Sequence, residues 1–175
     1  IEGKLNYLDI DDDKFQGKVL KLIVGGESES YSLAIPIMDT GGSVKTTNQY
    51  FNSLIGSLEN VKKGDKVTMF VNSKNEDKNG RLYRNIIILD SDGKLIKSNF
   101  SFSDVPKWLS AETTDDFGEK TTAWDASPTN KFYIEKAKTV TGNFKGTQSE
   151  TTSTPTPKQE PVAASTLADN SELPF

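Results

Sequence analysis

The chain lacks two residue types altogether, since its 175 residues include no cysteine and no histidine. Without an imidazole there is no ordinary Ser-His-Asp triad and no histidine-ligated metal. Without a thiol there is no cysteine nucleophile, zinc ribbon or disulfide framework. Long apolar runs are also missing: the longest, Ile86–Leu89, is far below the roughly 18 residues of a membrane span. We therefore expect a soluble protein that is not an enzyme and has no cofactor, metal site or membrane partner.

Hydrophobic residues are scarce as well, at 34% of the chain, and the mean hydropathy is −0.55. Part of the chain is therefore expected not to fold. The formal charge is −4, which argues against a surface that is basic all over and coats nucleic acid. The charge is uneven, however, because residues 61–89 hold seven basic and three acidic side chains. Any binding of DNA would have to use a local basic face.

The first 90 residues contain the strongest periodic patterns. Alternating or β-branched segments predict five strands, and apolar residues at three- and four-residue spacing predict a helix within residues 46–61. Asn79-Gly80 predicts a hairpin between the last two strands. The predicted strands are Gly3–Ile10, Phe15–Val24, Tyr31–Ile37, Lys66–Asn72 and Leu82–Leu89. This order is typical of the OB-fold, a five-stranded Greek-key barrel that here would have one helix between strands 3 and 4; another small α+β sheet is the alternative.

The rest of the chain is predicted in three parts. Residues 91–140 would extend the domain, with Leu95–Phe102 lengthening the sheet, Asp104–Ala111 forming a short helix and Lys131–Val140 adding a strand. This extension could complete the barrel, form a dimer contact or make an arm that faces DNA. Residues 141–167 are rich in Thr, Ser and Pro and are expected to be a disordered linker. The domain is thus residues 1–140, followed by the linker and a terminal peptide, 168–175.

The terminal peptide carries a resemblance. Ala168-Asp169-Asn170-Ser171-Glu172-Leu173-Pro174-Phe175 resembles the C-terminal tip of bacterial single-stranded DNA-binding proteins. Residues 61–67 and 82–86 also look like the fourth and fifth strands of that family. The resemblance covers about residues 1–90 and 168–175. It implies an OB domain that binds and protects single-stranded DNA during replication, recombination and repair. A bacteriophage version is expected, in the bacterial cytoplasm or an infected host cell; a homo-oligomer is compatible with it.

The terminal peptide also has a chemical rationale of its own. Phe175 carries an aromatic ring and the α-carboxylate, which suit an apolar pocket beside a basic side chain. Leu173 adds apolar surface and Pro174 restricts the backbone, which lowers the ordering cost of binding. Asp169 and Glu172 add negative charge that steers the peptide toward basic partners. The resemblance implies that these partners are DNA-processing enzymes, although the family's tip is more acidic than this one.

Binding of single-stranded DNA without sequence preference needs aromatic faces for bases and basic groups for phosphates. Strand alternation directs Val67, Met69 and Val71 to the core and Phe70 and Lys66 outward, so Phe70 ranks first.

In the fifth strand alternation leaves two readings open, with either Tyr83 or Arg84 on the DNA side. Lys18, Lys21 and Arg81 are further candidates for phosphate contact. Tyr31 is expected in the core, and Trp108 and Trp124 could either cap the core or stack on bases.

The acidic run Asp9/Asp11/Asp13 has the spacing that opens a calcium loop, but Lys14 and Leu20 stand where Gly and Glu are required. A solvated turn is therefore predicted there. The alternative function is an OB-fold module that binds a protein or a carbohydrate and has a merely solubilising tail.

Overall fold

The computed structural model describes residues 1–26, 28–39, 44–76, 82–114 and 116–146, with residues 73–76, 82 and 83 described by their backbone alone. Seven strands and two α-helices are defined in these residues, with a short 3-10 turn at Phe102–Asp104. The elements are β1 Glu2–Asp13, β2 Gly17–Gly25, β3 Ser30–Pro36, α1 Gln49–Leu58, β4 Lys66–Glu76, β5 Leu82–Leu89, β6 Leu109–Thr114, β7 Lys120–Asp125 and α2 Ser127–Gly146.

The first five strands form one antiparallel sheet in the order β3-β2-β1-β4-β5. The mainly β architecture is confirmed, as is the helix between the third and fourth strands. The sheet does not close into a barrel, because β3 and β5 lie at its two edges. Strands β6 and β7 form a separate two-stranded hairpin.

Helix α1 lies along the free edge of β5. The Ser53 hydroxyl accepts a hydrogen bond from the backbone amide of Ile86 at 2.9 Å. The Gln49 side chain accepts one from the amide of Arg84 at 3.2 Å. Further along the same strand, the amide of Ile96 donates to the carbonyl of Ile88 at 2.9 Å. These contacts satisfy backbone groups on the edge of β5 that would otherwise be available to pair with β3.

The core lies between the sheet, α1 and α2. Asn48 caps α1 by accepting a hydrogen bond from the amide of Tyr50 at 2.9 Å. Phe51, Leu54, Ile55 and Leu58 from α1 are almost fully buried against the sheet. Helix α2 adds a second apolar stripe at three- and four-residue spacing, formed by Tyr133, Ala137, Val140 and Phe144.

Three expectations for residues 91–146 are corrected. The segment Leu95–Phe102 adds no strand, only a single bridge between Leu95 and Leu89. The predicted helix Asp104–Ala111 is replaced by a loop and the start of β6. Lys131–Val140 is helical because its apolar residues repeat every three or four positions, which suits a helix packed on one side.

The boundary of the domain also moves. Helix α2 continues to Gly146, and both Thr141 and Phe144 are buried, so residues 141–146 belong to the folded part and not to a linker. The remainder of the predicted linker and the terminal peptide lie outside the described residues. None of the helices within the described ranges is long and apolar enough to cross a membrane.

Candidate nucleic-acid interface

A bulge in β1 decides which side chains reach the outer face of the sheet. The register against β2 shifts between Leu5 and Tyr7, so both Leu5 and Leu8 face the core. Strict alternation along the predicted strand Gly3–Ile10 would put Leu5 and Tyr7 on one face, and the bulge makes that expectation wrong. Tyr7 pairs with Ile23 on the outer side, and simple alternation missed it. In the sequence, the bulge is indicated by the three-residue spacing of Leu5 and Leu8, which breaks the two-residue period of a strand.

On β4 the predicted alternation holds where the strand packs against the core. Val67 and Met69 are buried, whereas the Phe70 side chain is 52% exposed on the outer side and pairs with Ile87 of β5. Val71, predicted in the core, is exposed. It has the parity of Val67, so the strand has run past the packed interior at this point.

Lys66 lies on the same outer face of β4 and is held by an acidic neighbour. Its ammonium group is 2.7 Å from the carboxylate of Glu2 on β1. A hydrogen bond from Lys66 and its charge lower the pKa of Glu2 below its ordinary value. Lys4 pairs with Lys66 in the β1–β4 ladder, which brings a second cation to this edge.

A second polar group on the outer face surrounds Tyr7. The Tyr7 hydroxyl donates a hydrogen bond to Asp11 at 3.1 Å, and Lys21 lies 3.5 Å from the same carboxylate. The Lys21 ammonium is 6.0 Å from the centre of the Tyr7 ring. Burial, followed by the hydrogen bond to Asp11, raises the pKa of the Tyr7 hydroxyl. Lys21 is thus one of the predicted cations that does reach the outer face.

Other predicted residues are not on this face. Lys18 pairs with Asp12 in the ladder and lies instead at the rim of a groove beside α2. Arg84 has the parity of the buried Ile86, yet it is exposed beside Gln49, the first residue of α1.

For Tyr83 only the backbone is described, paired with Asn75. Arg81 lies outside the described residues, as do Asp169, Glu172, Leu173, Pro174 and Phe175 of the terminal peptide. Tyr31, predicted in the core, is exposed and donates a hydrogen bond to Glu29.

The β1–β2 turn exposes the ring of Phe15, a residue predicted to begin the second strand. Both Phe15 and Gln16 donate backbone hydrogen bonds to Asp13 at 2.8 Å, which fixes a tight turn. Gly17 follows with a φ of 72°, a left-handed conformation that favours glycine. Phe15 is 89% exposed at the tip, and the Lys14 ammonium lies 5.7 Å from its ring centre. The Gln16-Gly17 pair after an acidic run was the signal for this turn.

The acidic run lies in β1 and the turn follows it, so the turn predicted at Asp9, Asp11 and Asp13 is wrong. The carboxylates of the run are engaged separately. Asp9 contacts Lys145 at 2.6 Å, Asp11 holds Tyr7, and Asp13 caps the turn. Over the part of the chain that the structure describes, no group of three acidic side chains is arranged to hold a metal ion.

An aromatic cleft lies at the other end of the chain, between the 3-10 turn and the β6–β7 hairpin. Phe102, Trp108 and Trp124 line it together with Pro106 and Lys107, and its volume is about 860 Å³. The Thr129 hydroxyl donates to the Pro106 carbonyl at 2.5 Å and ties the cleft to the start of α2. The two tryptophans, the only ones in the chain, therefore share one site and are not in the core.

Comparison of the chain with protein-family models, with curated proteins and with solved structures found no match.

Proposed function

We propose that the protein binds single-stranded DNA without sequence preference, using the outer face of the sheet. The half-exposed Phe70, on the same face of β4 as Lys66, carries this proposal. A large aromatic ring on an exposed strand face offers a base a stacking surface, and stacking is tolerant of sequence because every base has a π-face. Tyr7 with Lys21 supplies a second aromatic and cationic pair on the same side of the sheet.

The strand arrangement supports the proposal at the level of architecture. We infer a relative of the OB-fold, which is a partly open Greek-key barrel that binds oligonucleotides on one face and with the loops that join strands 1–2 and 4–5. The β1–β2 turn of this chain exposes Phe15 beside Lys14. Phe15 therefore joins Phe70 as a candidate for base stacking.

Titration with oligo-dT across a series of salt concentrations tests the function. Phosphate contacts predict a negative slope of log K against log salt, of about 0.7 per contact for single strands. Stacking predicts a preference for single strands over duplex DNA of the same length. If the full chain binds neither form of DNA at low salt, the proposal is wrong.

We also propose that the terminal peptide recruits DNA-processing enzymes during replication, recombination and repair. The chemistry of Leu173, Pro174 and Phe175, which combine apolar surface with a restricted backbone, supports it. Deletion of Pro174 and Phe175 should abolish partner capture and leave DNA affinity intact or raised. Partner capture that survives this deletion would contradict the role of the peptide.

The aromatic cleft favours a second candidate function, the binding of a protein or a carbohydrate. Phe102, Trp108 and Trp124 present apolar and aromatic surface with few polar groups, as ligand sites do. Because the only two tryptophans line this cleft, intrinsic tryptophan fluorescence reports on it alone. Oligo-dT that binds without altering the fluorescence would separate the cleft from the DNA face.

A further inference from the structure

The β6–β7 hairpin stands away from the core. Every residue of both strands is exposed, on both faces of the ribbon. Trp124 of β7 lines the aromatic cleft, and a two-stranded hairpin with so little buried surface gains stability from further packing. Near its tip Phe117 is 92% exposed. Among residues 112–114 and 116–120, three side chains are acidic and one is a lysine, so this end of the hairpin carries a net negative charge.

A groove with the opposite character lies between the sheet and α2. Its floor is apolar, and three cations stand along it: Lys18 from β2, and Lys138 and Lys145 from α2. The floor residues are Ile10, Ile37, Met38 and Ile134. The groove has a volume of about 640 Å³, which exceeds what one aromatic ring needs. We name it the lysine groove.

We propose that the hairpin tip of one molecule docks into the lysine groove of a second copy, with Phe117 on the apolar floor and the acidic side chains among the lysines. Asp12 and Asp9 already pair with Lys18 and Lys145, at 2.9 and 2.6 Å. The side chains of Asp12 and Lys18 are both more than half exposed, so rearranging that pair costs little. The Asp9 side chain is only 21% exposed, so Lys145 is expected to keep Asp9 as a partner while it adds positive charge to the groove. The groove retains an excess of positive charge because its three lysines face two carboxylates.

The contact joins two different surfaces, so each docked molecule still offers a hairpin on one side and a groove on the other. Such head-to-tail contacts give rings or open filaments. Self-association requires no DNA, so a failed test of self-association would not contradict the proposed DNA binding, and a failed test of DNA binding would not contradict self-association.

The chain's own terminal peptide is the competing occupant, since it also combines an aromatic ring with carboxylates. The hairpin is favoured because the β6–β7 ladder ends with Thr114 paired to Lys120, which restricts the short segment that contains Phe117. A preordered segment loses less conformational entropy on binding than a peptide does.

Sedimentation velocity of the DNA-free full chain over a range of concentrations tests the proposal. We expect concentration-dependent association that weakens with salt, and Phe117→Ala should weaken it about tenfold or more, as for a central aromatic anchor. Phe15→Ala is the matched control, because Phe15 is equally exposed on a different turn. A chain that stays monomeric, or one that associates equally well with Phe117→Ala, would overturn the proposal.

A charge exchange identifies the two surfaces. Asp116→Lys and Lys138→Glu should each weaken association, and the double variant should recover part of it. Absence of recovery would contradict direct contact between hairpin and groove. Deletion of Pro174 and Phe175 should leave association unchanged. If that deletion instead abolishes it, the terminal peptide occupies the groove and the hairpin does not.

Discussion

Replacing Phe70 by alanine should lower the affinity for single-stranded DNA while leaving the fold intact. Stacking of one base on an aromatic side chain is worth about 1–3 kcal/mol, which corresponds to roughly 5- to 150-fold in affinity. The cost to folding is smaller. The ring is 52% exposed, so the change forfeits about half of the 1.5–3 kcal/mol that full burial of such a side chain contributes, or about 1 kcal/mol.

The measurement is fluorescence anisotropy of a labelled oligo-dT short enough to hold one protein molecule. Phe102→Ala is the matched control, since Phe102 is even more exposed but belongs to the aromatic cleft. Circular dichroism and urea unfolding of both variants show whether the fold survives. If Phe70→Ala binds as the parent does and Phe102→Ala binds less well, then the DNA site is the cleft and the assignment to the sheet face is refuted.

Three further outcomes follow from contacts in the structure. Ser53→Ala should lower the free energy of unfolding by about 1–3 kcal/mol, measured with urea, because it leaves a partly buried amide of β5 without its acceptor; an unchanged urea midpoint would contradict the role of α1 at this edge. A chain that ends at Val140 should have a clearly lower melting temperature than one that ends at Gly146, because it lacks the buried Phe144. Equal melting temperatures would show that the folded domain ends at residue 140. An NMR titration should give Glu2 a pKa below its ordinary value of 4.5, and Lys66→Gln should return that pKa toward 4.5. The Glu2–Lys66 pair should therefore stabilise the fold above pH 4.5, and this contribution should be lost as the pH falls through the lowered pKa.

The succession of strands and the first helix were predictable because their signals are local. The alternation of Val67, Met69 and Phe70 on β4 and the apolar spacing along α1 each follow from one element packed on one side. The exposed Phe70 follows from the same alternation. Such predictions depend on neither the bulges nor the partners of an element.

The remaining errors arise where a long-range contact decides the outcome. The bulge beside Leu5 reversed the parity of Tyr7, and one extra residue is enough to do so. Closure of the barrel depends on whether β5 pairs with β3 or with side chains of α1, and no local sequence pattern encodes that choice. The stretch 131–146 reads as sparse in apolar residues, and its helix is defined by the few that reach the core, notably Phe144.

The charges on the outer face indicate what kind of DNA binding to expect. Lys66 is engaged by Glu2 and Lys21 by Asp11, so a phosphate must displace a carboxylate to reach either ammonium group. Both pairs are at least partly exposed and therefore weak, which makes the exchange feasible but reduces its net gain. Repulsion between the displaced carboxylates and the phosphates reduces it further. Stacking on Phe70 meets no such competition, so it should supply the larger share of the affinity. Binding should consequently depend less on salt than it would on an unopposed lysine track, and an anionic polymer without bases should compete poorly.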